Sequence, residues 1–212
     1  MQAVTTRKGR LPAFGLSAAL LEELWRVLGQ AGEFTWQASV GTGQDPLGRQ
    51  EGRPQEDIVD RDALEALLAV LPRIDSLRIS VEFAGQGAVL MTFRNYNPPG
   101  GSLVVSGTDP ARVGALYENL TAVFAAAKED VAAKLYSRVG FSIIQSGVPL
   151  VVSFIIVVLA AALLIPAWVR QSEWIWWISA ITMLATLWIA AKISDRLIRY
   201  CLQKYPYIRW LS

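Results

Sequence analysis

The sequence predicts an α+β domain, with an antiparallel sheet of about four to five strands and packed helices, joined to an α-helical transmembrane hairpin. Three observations predict it. Charge is segregated: residues 1–127 carry eleven Lys/Arg and fourteen Asp/Glu, whereas residues 139–191 carry only Arg170 and Glu173. Within residues 17–127, apolar residues recur with helical spacing in three segments and with strand spacing between them. Two uncharged runs then follow, Gly147–Val169 and Ile175–Ala191, each close to the roughly 20 apolar residues a helix needs to cross a bilayer core.

The elements follow in order. Residues 1–15, with TTRKGRLP and no periodicity, read as a flexible N-terminus. Ser17 reads as a helix N-cap, and Leu20, Leu21, Leu24, Trp25, Val27 and Leu28 form an apolar stripe over 17–29. Glu22 and Glu23 interrupt this stretch, so it does not read as a signal peptide. Phe34, Trp36, Ala38 and Val40 alternate as a half-buried strand. GTGQDPLG is turn chemistry, and a short strand near 48–52 completes a hairpin. Asp60 then caps a helix over 61–71 with Leu64, Leu67, Leu68 and Leu71 inward, and Asp62 lies in its first turn. Strands follow at 75–84, 87–95 and around Leu103–Val105, separated by Gly85–Gly87 and NPPGG. Asp109 caps a last domain helix with Pro110 at its first position. From Pro110 to Val139 only Gly114 interrupts strong helix formers, so one helix of about 45 Å is expected. That gives a domain at 16–127, a connecting helix at 128–142, a hairpin at 143–193 and a tail at 194–212.

The hairpin's topology follows from charge. Its short turn has one arginine, while Lys128, Lys134 and Arg138 precede it and five basic residues follow it. Positive residues collect on the cytoplasmic side, which places both termini in the cytoplasm and the chain in the inner membrane. Trp168, Trp174, Trp176 and Trp177 then form an aromatic belt at the far interface, with Arg170 at the wet tip. At the near interface Lys192, Arg196, Arg199 and Trp210 read as an anchor on anionic lipid or on a neighbouring subunit. Gln145, Ser146 and Ser153 in the first span, and Ser179, Thr182 and Thr186 in the second, mark either close helix packing or the lining of an oligomeric pore.

Chemistry is sparse. The chain has no histidine and one cysteine, Cys201, which removes His-based catalysis, His metal sites and internal disulfides. The acidic residues between Glu56 and Glu65 read as caps rather than metal ligands, and no cofactor is expected. Gly107, Thr108 and Asp109 precede a helix N-terminus, a position that can hold phosphate, although Asp109 already fills the cap. The domain is net negative, which disfavours nucleic acid.

The run RIDSLRISVEF, AVLMTFRN and GSLVVSGTDPARVGALYENLTAVF resembles a poorly characterised family of bacterial proteins. Its members pair a small cytoplasmic α/β domain, with a strand–x-S-G-x-D–helix step, with a C-terminal membrane hairpin. Ser106, Gly107, Asp109 and Val113 carry the resemblance, while Arg112 stands where the family often has an aromatic residue. The resemblance implies architecture and no chemistry. Two functions follow from the layout. One is a homo-oligomeric membrane protein whose cytoplasmic domain controls a channel or pore-forming effector, as in bacterial defence. The other is an anchored module that binds a cytoplasmic protein partner. An enzyme is not expected.

Overall fold

A computed structural model describes residues 4–47, 53–54, 57–85, 87–164 and 175–211. The chain forms two compact units. One runs to Tyr136 and resumes at Leu202, and the other is Ser137–Cys201.

The first unit is built on an antiparallel sheet in the order β1-β7-β6-β5-β3-β4. The strands are β1 Thr5–Leu11, β3 Phe34–Thr42, β4 Arg53–Pro54, β5 Ser76–Phe83, β6 Gly87–Arg94 and β7 Gly100–Gly107. The meander β5-β6-β7 follows from strict alternation. Leu77, Ile79, Val81 and Phe83 of β5 align with Phe93, Met91 and Val89 of β6, and these with Gly101, Leu103 and Val105 of β7. One sheet face is therefore a continuous apolar layer, and slipping the register by one residue would turn it to solvent. Helices α1 Ala18–Ala31, α2 Arg61–Val70 and α3 Pro110–Ala126 contribute Leu21, Leu28, Leu64, Leu68, Leu120 and Phe124 to the same core. Trp25 meets Trp36 edge-on at 4.8 Å, a geometry worth about 0.5–1.5 kcal/mol beyond burial. The expected caps form: Ser17 Oγ accepts from Leu20 N–H, Asp60 from Ala63 N–H and Asp109 from Ala111 N–H.

Three expectations are corrected. Residues 5–11 are not a flexible N-terminus but the edge strand β1, paired with β7 from Thr5↔Gly107 to Leu11↔Gly101. Its outward side chains are Thr6, Lys8 and Arg10, and its inward Gly9 faces the Tyr117 hydroxyl, so the strand carries almost no apolar signal. The long helix from Pro110 to Val139 is broken. It ends at Ala126, and α4 Asp130–Leu135 and α5 Arg138–Ser142 follow as separate short helices. The tail is not an interfacial anchor along its length. Its residues 208–210 form strand β8, which pairs in parallel with β2 Phe14–Leu16 inside the first unit. The hairpin strand expected near 48–52 lies outside the described residues, and β4 pairs with β3 just beyond it.

The second unit is a pair of long apolar helices. The first runs through α5, a π-helical turn Ile143–Gly147 and α6 Val148–Leu164, and the second is α7 Ile175–Lys204. Both are long and apolar enough to cross a membrane, with mean hydropathy of 2.6 and 1.4 over their most apolar 18 residues.

Candidate functional site

The feature with most functional content is a clasp in the first unit that holds the chain on its way into the helical pair and on its way out. It is organised by β2, only three residues long. Along one side, Gly15 N–H donates to Ala127 O at 3.3 Å and Glu129 N–H donates to Ala13 O at 3.0 Å. These bonds take the backbone groups with which α3 would have continued, which is why the helix stops. Along the other side, Phe14 N–H donates to Tyr207 O at 3.1 Å and Leu211 N–H donates to Leu16 O at 2.7 Å. The segment before the helical pair and the segment after it thus share one three-residue strand.

Side chains lock the clasp. Phe14 packs edge-on against Phe93 and Phe124, each at 4.9 Å. Asn95, fully buried, acts as a further strand for β8: its Oδ1 accepts from Ile208 N–H at 2.8 Å, and its Nδ2 donates to Ile208 O at 2.6 Å and to Ile74 O. Asn95 is itself fixed by its N–H to Asp75 O at 2.7 Å. Asp75 is buried, paired with Arg73 at 2.7 Å, and accepts from Gln44 N–H at 2.9 Å. Tyr207 is buried beside the bare face of Gly101, where a Cβ would lie 3.1 Å from the Tyr207 ring and 2.8 Å from Phe93. Its hydroxyl donates to Leu11 O. Burial pushes the Tyr207 phenol above its ordinary value, against smaller downward pulls from the Gly101 N–H and Arg10. Tyr136 donates to Tyr205 O and stacks obliquely on Tyr207 at 5.7 Å, so exit and return are also tied directly to each other. Glu129, at the cap of α4, gives its carboxylate to Arg209 at 2.9 Å rather than to its own helix.

Inside the second unit, the packing face of α6 is Pro149, Ser153 and Val157 at helical spacing, with Ser153 and Val157 buried. Pro149 has no N–H to give Gln145 O, four residues earlier. The Ser194 hydroxyl of α7 supplies a donor instead, at 2.7 Å. A groove of about 550 Å³ between the helices is lined by Val157, Ala161, Ser179, Thr182 and Thr186 among others. The Thr182 and Thr186 hydroxyls donate back to Ile178 O and Thr182 O in their own helix, at 2.7 and 2.8 Å. The Ser153 hydroxyl makes no hydrogen bond among the described residues. Ser146 is exposed on the first helix.

The other sequence-derived positions divide. Trp168, Arg170 and Trp174 lie outside the described residues. Trp176 and Trp177 are exposed at the start of α7, and Lys192 sits over the Trp188 ring at 5.8 Å. Arg196 and Arg199 are exposed on its last turns. Trp210 is a correction, because it packs against the core of the first unit. Gly107, Thr108 and Asp109 lie at the start of α3, where the cap is already occupied. Asp109 bonds its own helix, and the cavity beside it, about 20 Å³, has room for about one water. Arg112, also lining that cavity, donates to Ala31 O. Among the described residues no group of three or more metal-ligating side chains converges.

Sequence reasoning missed Phe14, Asn95 and Tyr207 as members of one arrangement. The only local signal was the unusual RNYNPP step after β6 and the alternation of Tyr205, Tyr207 and Arg209. No family model, curated protein or solved structure matches the chain.

Proposed function

We propose that this chain is an oligomeric inner-membrane protein in which a cytoplasmic domain controls a two-helix transmembrane assembly acting as a channel or pore-forming effector. The observation that carries this reading is the clasp. A passive anchor needs one covalent link, whereas here β2 binds the chain on both sides of the hairpin, so movement in the core around Asn95 and Phe14 reaches both ends together. Exposure supports the membrane part. Only 17% of the most apolar window of the first long helix and 6% of that of the second are buried, far more open apolar surface than a water-soluble monomer carries. Lipid and neighbouring copies are the cover such helices require. Two helices enclose no pore, so conduction requires a ring of copies. Lys192, Arg196 and Arg199 near the end of α7 support a cytoplasmic placement of the clasped unit.

The test is conductance of the purified full chain in planar bilayers, alongside its mass in mild detergent. An oligomer whose conductance changes on replacing Asn95 supports the reading. A monomer with no conductance sinks it.

A second reading is favoured by the groove between α6 and α7. Its threonine hydroxyls are satisfied within their own helix, which leaves little polar lining for an ion path and suits a membrane-anchored interaction module. Replacing residues 143–193 with an unrelated hairpin separates the two: full cellular activity would favour the anchor.

A further inference from the structure

One face of the sheet packs α1–α3. The opposite face presents Lys8 and Arg10 of β1, Ser102 of β7, and Thr92 and Arg94 of β6, by the alternation that buries Met91, Phe93 and Leu103 on the first face. At one end of this open face lies a groove of about 800 Å³ lined by Lys8, Arg10, Arg94, Tyr96 and Ser102. Its floor is cut by Gly100, opposite Arg94 in the ladder. Among the described residues, a Cβ at Gly100 would meet only Arg10 Nη2, at 3.9 Å, so their side chains leave the space above this backbone open.

The groove is strongly cationic. Among the described residues, its lining holds three basic side chains and no carboxylate. Among the described residues, none of the three takes part in an ion pair. Three cations gathered in one concavity repel one another, and an anion relieves that repulsion. Two of the three are arginines, whose planar forks bind phosphate oxygens in pairs. The arginines come from strands two ladder spacings apart, about 9.6 Å. That separation exceeds one phosphate and suits a chain of two or three, reached from both sides. The Arg94 guanidinium lies 5.9 Å from the Tyr96 ring centroid, which holds it at the groove wall.

We propose that this groove binds a phosphorylated ligand carrying at least two negative charges. The chemistry is common to a soluble nucleotide or polyphosphate and to a phosphate-monoester lipid headgroup. The position of Arg10 adds a consequence that rests on the function proposed above. Arg10 Nη2 donates to Pro99 O and to Tyr136 O, both at 3.4 Å, and Tyr136 is the last residue of this unit before the hairpin. A phosphate drawing on Arg10 competes with that carbonyl, so the groove is placed to act as the ligand input to the clasp.

The experiment is isothermal calorimetry on the full chain in neutral-lipid nanodiscs, with pyrophosphate, ATP and short-chain phosphatidic acid as separate probes. Saturable binding to at least one probe is expected, weakened at least tenfold by Arg94→Ala and by Gly100→Val. Binding of pyrophosphate or ATP identifies the soluble source, and binding of phosphatidic acid alone identifies the lipid source. Arg94 is exposed and outside the core, so its replacement tests the groove even if Gly100→Val disturbs folding. Binding to none of the probes, or affinity unchanged in Arg94→Ala, overturns the proposal. Because calorimetry reads binding alone, a bound ligand without conductance would sink the channel reading and leave the site standing.

Discussion

Replacing Asn95 with alanine should open the clasp while leaving the sheet intact. The Asn95 side chain satisfies three backbone groups: Ile208 N–H, Ile208 O and Ile74 O. The hydrogen bonds of β2 use Tyr207 O and Leu211 N–H on either side of Ile208, so Ile208 turns its own polar groups toward Asn95. Ile208 is buried and β8 is only three residues long. Truncation leaves three buried groups without partners at about 1–3 kcal/mol each. Water entering the small cavity recovers part of this, and a net loss of about 4 kcal/mol is the central expectation. At about 1.4 kcal/mol per decade, amide exchange through local opening of β8 should accelerate by about 10³. Hydrogen exchange read at Ile208 and Leu211 in the full chain is the assay. Amides in the β5–β6 ladder, held by separate bonds, serve as the internal control. Unchanged exchange at Ile208 would refute the assignment of Asn95 as the lock of the returning segment. Equal acceleration throughout the sheet would refute the claim that the clasp opens independently of the core. Asn95→Asp should be no milder, since it keeps the acceptor for Ile208 N–H but turns an acceptor toward two carbonyls where a donor stood.

Other outcomes follow from the same geometry. Tyr207→Phe removes the bond to Leu11 O and should cost about 1–2 kcal/mol; its signature is in the pH profile. Because burial raises the phenol's pKa in the folded state, this contribution is complete below the unfolded value of about 10 and falls as pH rises through the folded one. Melting curves between pH 8 and 11 should therefore decline more steeply for the parent than for Tyr207→Phe. Ser194→Ala leaves Gln145 O without its cross-helix donor and should cost about 1 kcal/mol, read as a lower unfolding midpoint of the helical pair in nanodiscs. Gly87→Ala places a Cβ 2.2 Å from Ser106 O at a φ of 153°. It should cost about 2 kcal/mol or more, measured by thermal unfolding of the full chain.

The parts of the fold legible in the sequence are those whose signal is local. The β5–β7 meander reads directly because inward and outward residues alternate over eight positions in each strand. The starts of α1, α2 and α3 read from Ser17, Asp60 and Asp109 because a cap is a bond within three residues. Strand β1 was hidden because its inward positions are Arg7, Gly9 and Leu11, and the space above Gly9 is filled by Tyr117 from another element. The end of α3 was hidden because alanine-rich sequence continues across it. Helix propensity was overridden there by Ala13 and Gly15, more than a hundred residues earlier in the chain. The place of the tail is illegible for a related reason: a basic, aromatic composition is the same whether the aromatic residues meet lipid or fill a seat prepared by Gly101 and Phe14. The candidate site inherits these limits, since it consists almost wholly of pairings between distant segments.

The separation of β2 from β8 carries a consequence for assembly. Residues 1–136 contain the whole sheet but lack Tyr207 and Ile208, both nearly fully buried in the complete unit. A fragment ending at Tyr136 therefore exposes Phe93, Gly101 and Phe14 and leaves the Asn95 amide without Ile208. Two missing buried side chains at about 1.5–3 kcal/mol each, with the lost hydrogen bonds, amount to about 4–8 kcal/mol, much of the stability of an ordinary domain. The domain should therefore reach full stability only once residues 202–212 have been made and have returned to β2. The measurement is urea unfolding of the 1–136 fragment with and without a synthetic peptide of residues 202–212. The peptide should raise the midpoint in a concentration-dependent way, and it should fail to do so when its Tyr207 and Ile208 are replaced by alanine. A fragment equally stable with and without peptide would show that β8 closes over a domain already complete, and the coupling argued from the clasp would fail with it.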